Sequence, residues 1–149
     1  MMSDIGFYHL TRSTLEDALP ALLGRTLDAG QRAVIRCRDA AQVKQLDEAL
    51  WKAKAPLWLP HGSQSMGHGP RQPIWLTKGD DVPNEARFLF LLDGGPDQGL
   101  EQFDRIFTLF DGNDALAVSR ARALWTRVKQ AGHSLAYWQQ QERGWQKAG

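Results

Sequence analysis

A chain of 149 residues with 42% hydrophobic and 23% charged side chains has the size and composition of one ordinary folded domain. Its 18 basic and 17 acidic residues leave a formal net charge of +1, so no global field draws in a polyanion, and any anion recognition must be local. The single cysteine excludes an internal disulfide and a cysteine-built zinc cluster.

No basic region followed by a long apolar run opens the chain, and no apolar stretch approaches the roughly 20 residues that span a bilayer. The expectation is a cytoplasmic protein. Ile5 to Leu10 is short, apolar and aromatic and predicts a first strand. Ser13 and Glu16 have the spacing of a capping box. The helix behind it sets Leu15, Leu19, Leu22, Leu23 and Leu27 on one side and stops at Gly30. Pro20 inside it is expected to kink it or to move its start later. RAVIRC (Arg32 to Cys37) reads as a second, buried strand, with Cys37 acting as a small hydrophobe. Asp39 can cap a second helix that carries Val43, Leu46, Ala49 and Leu50 at helical spacing.

From Lys54 to Pro73 the texture turns to Pro, Gly, His and Ser and reads as loop, with a short strand at Pro73 to Leu76 behind it. RFLFLLD (Arg87 to Asp93) is the most buried-looking strand. GGPDQG then leads to a short helix near Leu100 to Phe103 and a further strand, RIFTLFD. Asn113 or Asp114 can cap a long helix that Gly132 closes. SLAYW (Ser134 to Trp138) predicts a last strand, and QQQERGWQKAG a polar tail. Strands alternating with helices predict an α/β fold, with a mainly parallel sheet and helices on both faces. No internal repeat or boundary divides residues 1–149, with 138–149 a candidate flexible tail.

Neither G-x-G-x-x-G nor G-x-x-x-x-G-K-[ST] occurs, so backbone amides at the first helix start cannot approach a phosphate through glycines. LDEAL (Leu46 to Leu50) mimics a helicase Asp-Glu box, but it lies inside an amphipathic helix, so Asp47 and Glu48 read as a solvated face. His61 and His68 flank a glycine-rich stretch. With Asp80 and Asp81 they could supply metal donors, yet no spacing enforces it, and solvated loop histidines are the plainer reading. Ser63 and Ser65 lack a nucleophile-elbow context. No acid–base pair assembles, so no catalytic residue is assigned.

Two aromatic clusters remain. In VSRARALWTRVKQAG (Val118 to Gly132) a helical wheel puts Ala117, Ala121, Leu124, Val128 and Ala131 on a core arc. Val118, Arg122, Trp125 and Lys129 form an adjacent stripe, while Arg120 and Arg127 fall on the far flank. The stripe fits solvated cations around a partly buried Trp, a phosphate-binding face for single strands, or a pocket for an acidic peptide whose carboxylate pairs with Arg122 over Trp125. The second cluster is Trp51 at a helix end and Trp58 in a Pro-rich segment. They either roof the core or stand exposed as interface anchors.

LDEALW, followed after a spacer by Pro60 and His61, resembles the chi subunit family of bacterial DNA polymerase III. FYHL near the start and ALAVSRARALWTRVKQAGHSL agree with it. The likeness runs over nearly the whole chain, weakest from Gly62 to Arg87 and after Trp138. It implies a Rossmann-like domain resembling a helicase motor without its ATP site, and a non-catalytic replication adaptor that needs no cofactor. The implied partners are the psi subunit of the clamp loader and the acidic C-terminal tail of single-stranded DNA-binding protein, which ends in acidic residues and a terminal Phe. By matching position Arg122 looks like the carboxylate-binding arginine, and Trp125 stands where a tyrosine is familiar. Val118 departs from the pattern, for a lysine there would reinforce binding of the acidic residues, and Lys129 or Arg120 would have to compensate. Trp51 and Trp58 match the aromatic pair that faces psi, or a helicase using the same surface. The competing readings are a nucleotide-binding α/β enzyme and a direct single-strand binder.

Overall fold

The computed structural model describes residues 3–52, 61–63, 69–141 and 145–148. In chain order, the strands are β1 (Asp4–Leu10), β2 (Ala33–Arg36), β3 (His61–Ser63), β4 (Ile74–Thr77), β5 (Phe88–Leu92), β6 (Arg105–Asp111), β7 (Ser134–Gln140) and β8 (Trp145–Lys147). The helices are α1 (Leu15–Asp28), α2 (Ala40–Trp51) and α3 (Ala115–Gln130), with short 3₁₀ turns at Gly69–Arg71 and Leu100–Gln102. The strands form one sheet in the order β3-β4-β2-β5-β6-β1-β7-β8. Every neighbouring pair is parallel except β7 and β8. Among the described residues no helix is long and apolar enough to cross a membrane.

Both faces of the sheet are covered, which is why β2 and β4 are buried at every position instead of alternating. On one face Leu19, Leu22 and Leu23 of α1 and Leu46 and Leu50 of α2 pack with Tyr8, Ile35, Phe90 and Phe107. On the other, Ala117, Ala121 and Val128 of α3 pack with Ile5, Phe7, Leu89 and Phe110. The small residues let α3 approach the sheet closely. Each buried leucine is worth about 1.5–3 kcal/mol against its exposed state, so the layered leucines carry much of the fold. Cys37 is fully buried, and that burial raises its thiol pKa to about 12, as expected of a structural cysteine.

Two local readings are corrected, at Ser13 and at His61. The cap of α1 is Thr14, whose side chain accepts from the Asp17 amide, because Ser13 is engaged elsewhere: its amide and hydroxyl both bond Gln140. Pro20 is buried inside α1, which still begins at Leu15 and runs on to Asp28. His61 is not a solvated loop residue. It opens β3, is 2% exposed, and holds Nε2 at 3.0 Å from the Asp47 carboxylate. A strand of only three residues, HGS, has no period to announce it, and its register comes from β4, His61 opposite Ile74. Residues 139–141 and 145–148 of the polar tail are also placed, with Trp145 edge-on to Tyr8 at 5.1 Å.

Candidate functional site

Helix α3 is fixed at both ends by local chemistry. Asp114 accepts from the Leu116 and Ala117 amides at 3.0 and 3.4 Å, while Arg127 and Lys129 in the last turn face the negative end of the dipole. Gly132 follows at φ +91°, a conformation that favours glycine.

Its four cations divide into two pairs. Arg120 makes a bidentate fork with Asp93, at 2.7 and 2.6 Å, and Arg127 pairs with Asp97. The fork and the neighbouring charge raise the pKa of Arg120 further. Arg122 and Lys129 have no ion pair among the described residues. The positive charge of this segment is therefore half compensated within the fold. What is left uncompensated lies on one stripe.

That stripe borders a groove of about 500 Å³ lined by Phe7, Phe110, Val118, Ala121, Arg122, Trp125, Thr126 and Tyr137. Trp125 stands edge-on to Phe7, with centroids 5.1 Å apart and planes at 66°, and edge-on to Tyr137 at 6.2 Å. Phe7 and Tyr137 are register partners on adjacent parallel strands, which is why both rings reach Trp125 from the sheet. The Tyr137 hydroxyl is hydrogen-bonded to His9 Nδ1. Burial raises the Tyr137 phenol pKa, and the nearby Arg122 charge partly offsets it, so guanidinium and phenol share one electrostatic environment. An apolar concavity with, at its rim, a guanidinium that has no ion pair among the described residues can hold an aromatic group that carries a carboxylate.

Of the residues singled out from sequence, Val118, Arg122 and Trp125 are brought together in this groove. Lys129 is exposed on the same stripe one turn beyond Trp125 and does not line it. Arg120 lines a different cavity with Asp93 and Arg127. Phe7, Phe110 and Tyr137 were missed as site residues. The signal was the aromatic content of FYHL and SLAYW, but nothing local says that these segments lie side by side.

The second cluster lies at the other end of the sheet. Trp51, at the last position of α2, is 54% exposed, and its ring centroid is 4.3 Å from that of buried His61. Trp58 and Pro60 lie outside the described residues, as does His68. Asp47, in the helicase-like box, faces His61, and Asp81 accepts from Trp75 Nε1 at 2.8 Å and from Thr77 Oγ1.

A cavity of about 640 Å³ lies at the carboxyl ends of β1 and β6, where open α/β sheets commonly bind ligands. A phosphate does not suit it. The amides of Thr11, Arg12 and Ser13 converge, at 3.1, 2.8 and 3.1 Å, on Oε1 of Gln140, so the nest behind β1 is filled by a side chain of the protein itself. Thr14 and Asp114 cap the two helix starts, and Glu16, Asp17, Asp93 and Asp111 outnumber Arg12 and Arg38 in the lining.

The family described as "DNA polymerase III chi subunit, HolC" matches residues 2–136. A protein named "DNA polymerase III subunit chi" from Escherichia coli (strain K12) is 35% identical over 87 residues, covering 52% of this chain and 59% of that protein. One from Rickettsia prowazekii (strain Madrid E), named "Probable DNA polymerase III subunit chi", is 26% identical over 91 residues, 61% of this chain and 55% of that protein. The matched region thus spans a little over half the length of either relative. With the family model covering nearly the whole chain, this protein belongs to the DNA polymerase III chi subunit family.

Proposed function

We propose that the protein is a replication adaptor without catalytic chemistry of its own. In this reading the α3 groove binds the acidic C-terminal tail of single-stranded DNA-binding protein, and the α2 end around Trp51 docks a psi-like clamp-loader subunit, or a helicase using the same surface. The observation that carries the first half is Arg122, a guanidinium with no ion-pair partner among the described residues, on the rim of a concavity walled by Trp125, Phe7 and Tyr137. A terminal Phe offers the two groups this arrangement lacks: a phenyl ring for the apolar walls and a carboxylate for the fork. Lys129, one turn on, faces acidic residues further up the tail. Charge-assisted pairs of this kind contribute about 1.5–3 kcal/mol each, enough to separate a free acid from its amide.

A nucleotide-binding enzyme is disfavoured by the occupied nest at Gln140 and by the acidic lining of the crevice. The test is titration with an acidic peptide ending in Pro-Phe, followed by Trp fluorescence or calorimetry, beside the same peptide amidated and an Arg122→Ala variant. Saturable binding that both controls lose supports the groove. A wild-type protein that ignores the free-acid peptide makes the stripe a solvated helix face and overturns the reading.

A further inference from the structure

The loop between β5 and the following 3₁₀ turn, Asp93 to Gly99, is built to present two carboxylates to α3. Gly94 at φ +83° turns the chain, and Gly95 lies so close to the Arg36 carbonyl that an added Cβ would sit 2.7 Å from it. From beneath, the buried Arg36 guanidinium donates to the Pro96 and Gln98 carbonyls at 3.1 and 2.7 Å. The loop is thereby tied to the core on either side of Asp97, and each aspartate meets a different arginine of α3, Asp93 meeting Arg120 and Asp97 meeting Arg127.

The well-exposed Arg127–Asp97 pair contributes little to stability, so stability alone is a poor account of a loop that sets a carboxylate against each of these two arginines. The effect of the two carboxylates on the surface field is larger. Without the aspartates α3 would present four cations around its circumference, with Trp125 among them, which is the pattern that binds a phosphate backbone without sequence preference. With them, the flank of Arg120 and Arg127 is neutral, and only the Arg122–Lys129 stripe keeps its charge.

We propose that Asp93 and Asp97 are specificity determinants that mask one flank of α3 and hold this chain off single-stranded nucleic acid. The mask concerns the flank away from the groove and stands whether or not a peptide occupies that groove.

The test compares wild type with Asp93→Asn/Asp97→Asn, an isosteric pair of changes, in binding fluorescent oligothymidylate of about 20 nucleotides, by anisotropy from about 50 to about 200 mM salt. Two unmasked cations should tighten binding about tenfold at the low end and steepen the slope of log K against log salt by about 1.4, at about 0.7 per phosphate neutralised on a single strand. Adding Arg120→Gln/Arg127→Gln to the unmasked protein should restore the wild-type slope. Should the double variant unfold, Asp97→Asn alone, at the pair with 60% and 44% side-chain exposure, should give about half the change in slope. Unchanged affinity and slope, or a gain that the arginine changes leave in place, overturns the proposal. A peptide that fails to bind the groove leaves this comparison standing, and an unchanged oligonucleotide slope leaves the groove standing.

Discussion

Trp125 and Trp51 both sit on helix surfaces, and the structure holds them in opposite ways. Trp125 is half-buried, wedged against Phe7 and Tyr137, and forms one wall of a concavity. Trp51 is 54% exposed, its ring laid against His61, and projects from the end of α2. A concave aromatic wall beside the Arg122 guanidinium is prepared to receive a small, defined group, because the ordering cost is met during folding. A projecting tryptophan with no comparable walls among the described residues gains most of its burial from a partner that brings its own pocket. The groove should therefore recognise chemistry at a chain end, whereas the Trp51 surface should recognise shape in a folded subunit.

The hardest blow to this contrast is Phe7→Ala. Phe7 is 1% exposed and supports Trp125 from below, so its truncation should cost about 3–5 kcal/mol of stability and collapse the groove floor together with the core. Denaturant unfolding measures the first effect and peptide titration the second; a stable variant with intact peptide binding would separate groove from core. Arg122→Ala should act on binding alone. Losing a charge-assisted pair worth about 1.5–3 kcal/mol weakens the free-acid peptide by roughly tenfold to a hundredfold. The unfolding midpoint should stay in place, because the guanidinium has no ion-pair partner among the described residues. Trp51→Ala is the reciprocal change: it should lower stability by less than about 1 kcal/mol, leave peptide affinity unaltered, and abolish capture of a purified psi-type subunit. If Trp51→Ala weakens the peptide as much as Arg122→Ala does, the two surfaces are not separate sites.

Much of this arrangement could be read before any coordinates. The alternation of apolar strands with capped helices carries the α/β class, because period and cap are local properties, and the stripe of Val118, Arg122 and Trp125 follows from helical geometry alone. What the sequence hides is non-local. The pairing of Arg120 and Arg127 depends on a loop that a crossover brings against α3, and so four apparently free cations become two. The groove floor depends on β7 landing beside β1, which sets Tyr137 opposite Phe7 across some 130 residues of chain. His61 reads as loop because three residues without a period give no strand signal, and β4 alone makes them one. Ser13 loses the cap of α1 to Thr14 because Gln140, from the far end of the chain, claims both its amide and its hydroxyl.

Val118→Lys sharpens the contrast by the smallest step. Val118 lines the groove as part of its apolar wall, at the position where the family resemblance leads one to expect a second cation. Between Val118 and Arg122 lies one helical turn, so a lysine there would extend the positive stripe toward the helix start, on the opposite side of Arg122 from Lys129. An exposed charge pair with the acidic tail is worth about 0.2–1 kcal/mol, so peptide affinity should rise by less than about fivefold, with most of the gain at low salt. The change also removes apolar wall, and the two effects separate experimentally. A peptide whose acidic residues are replaced by neutral ones, keeping the terminal Phe, should bind the variant no better than wild type. Tighter binding of the neutral peptide would mean that the groove reads shape at this position, as the Trp51 surface does, and would erase the distinction between the two regions.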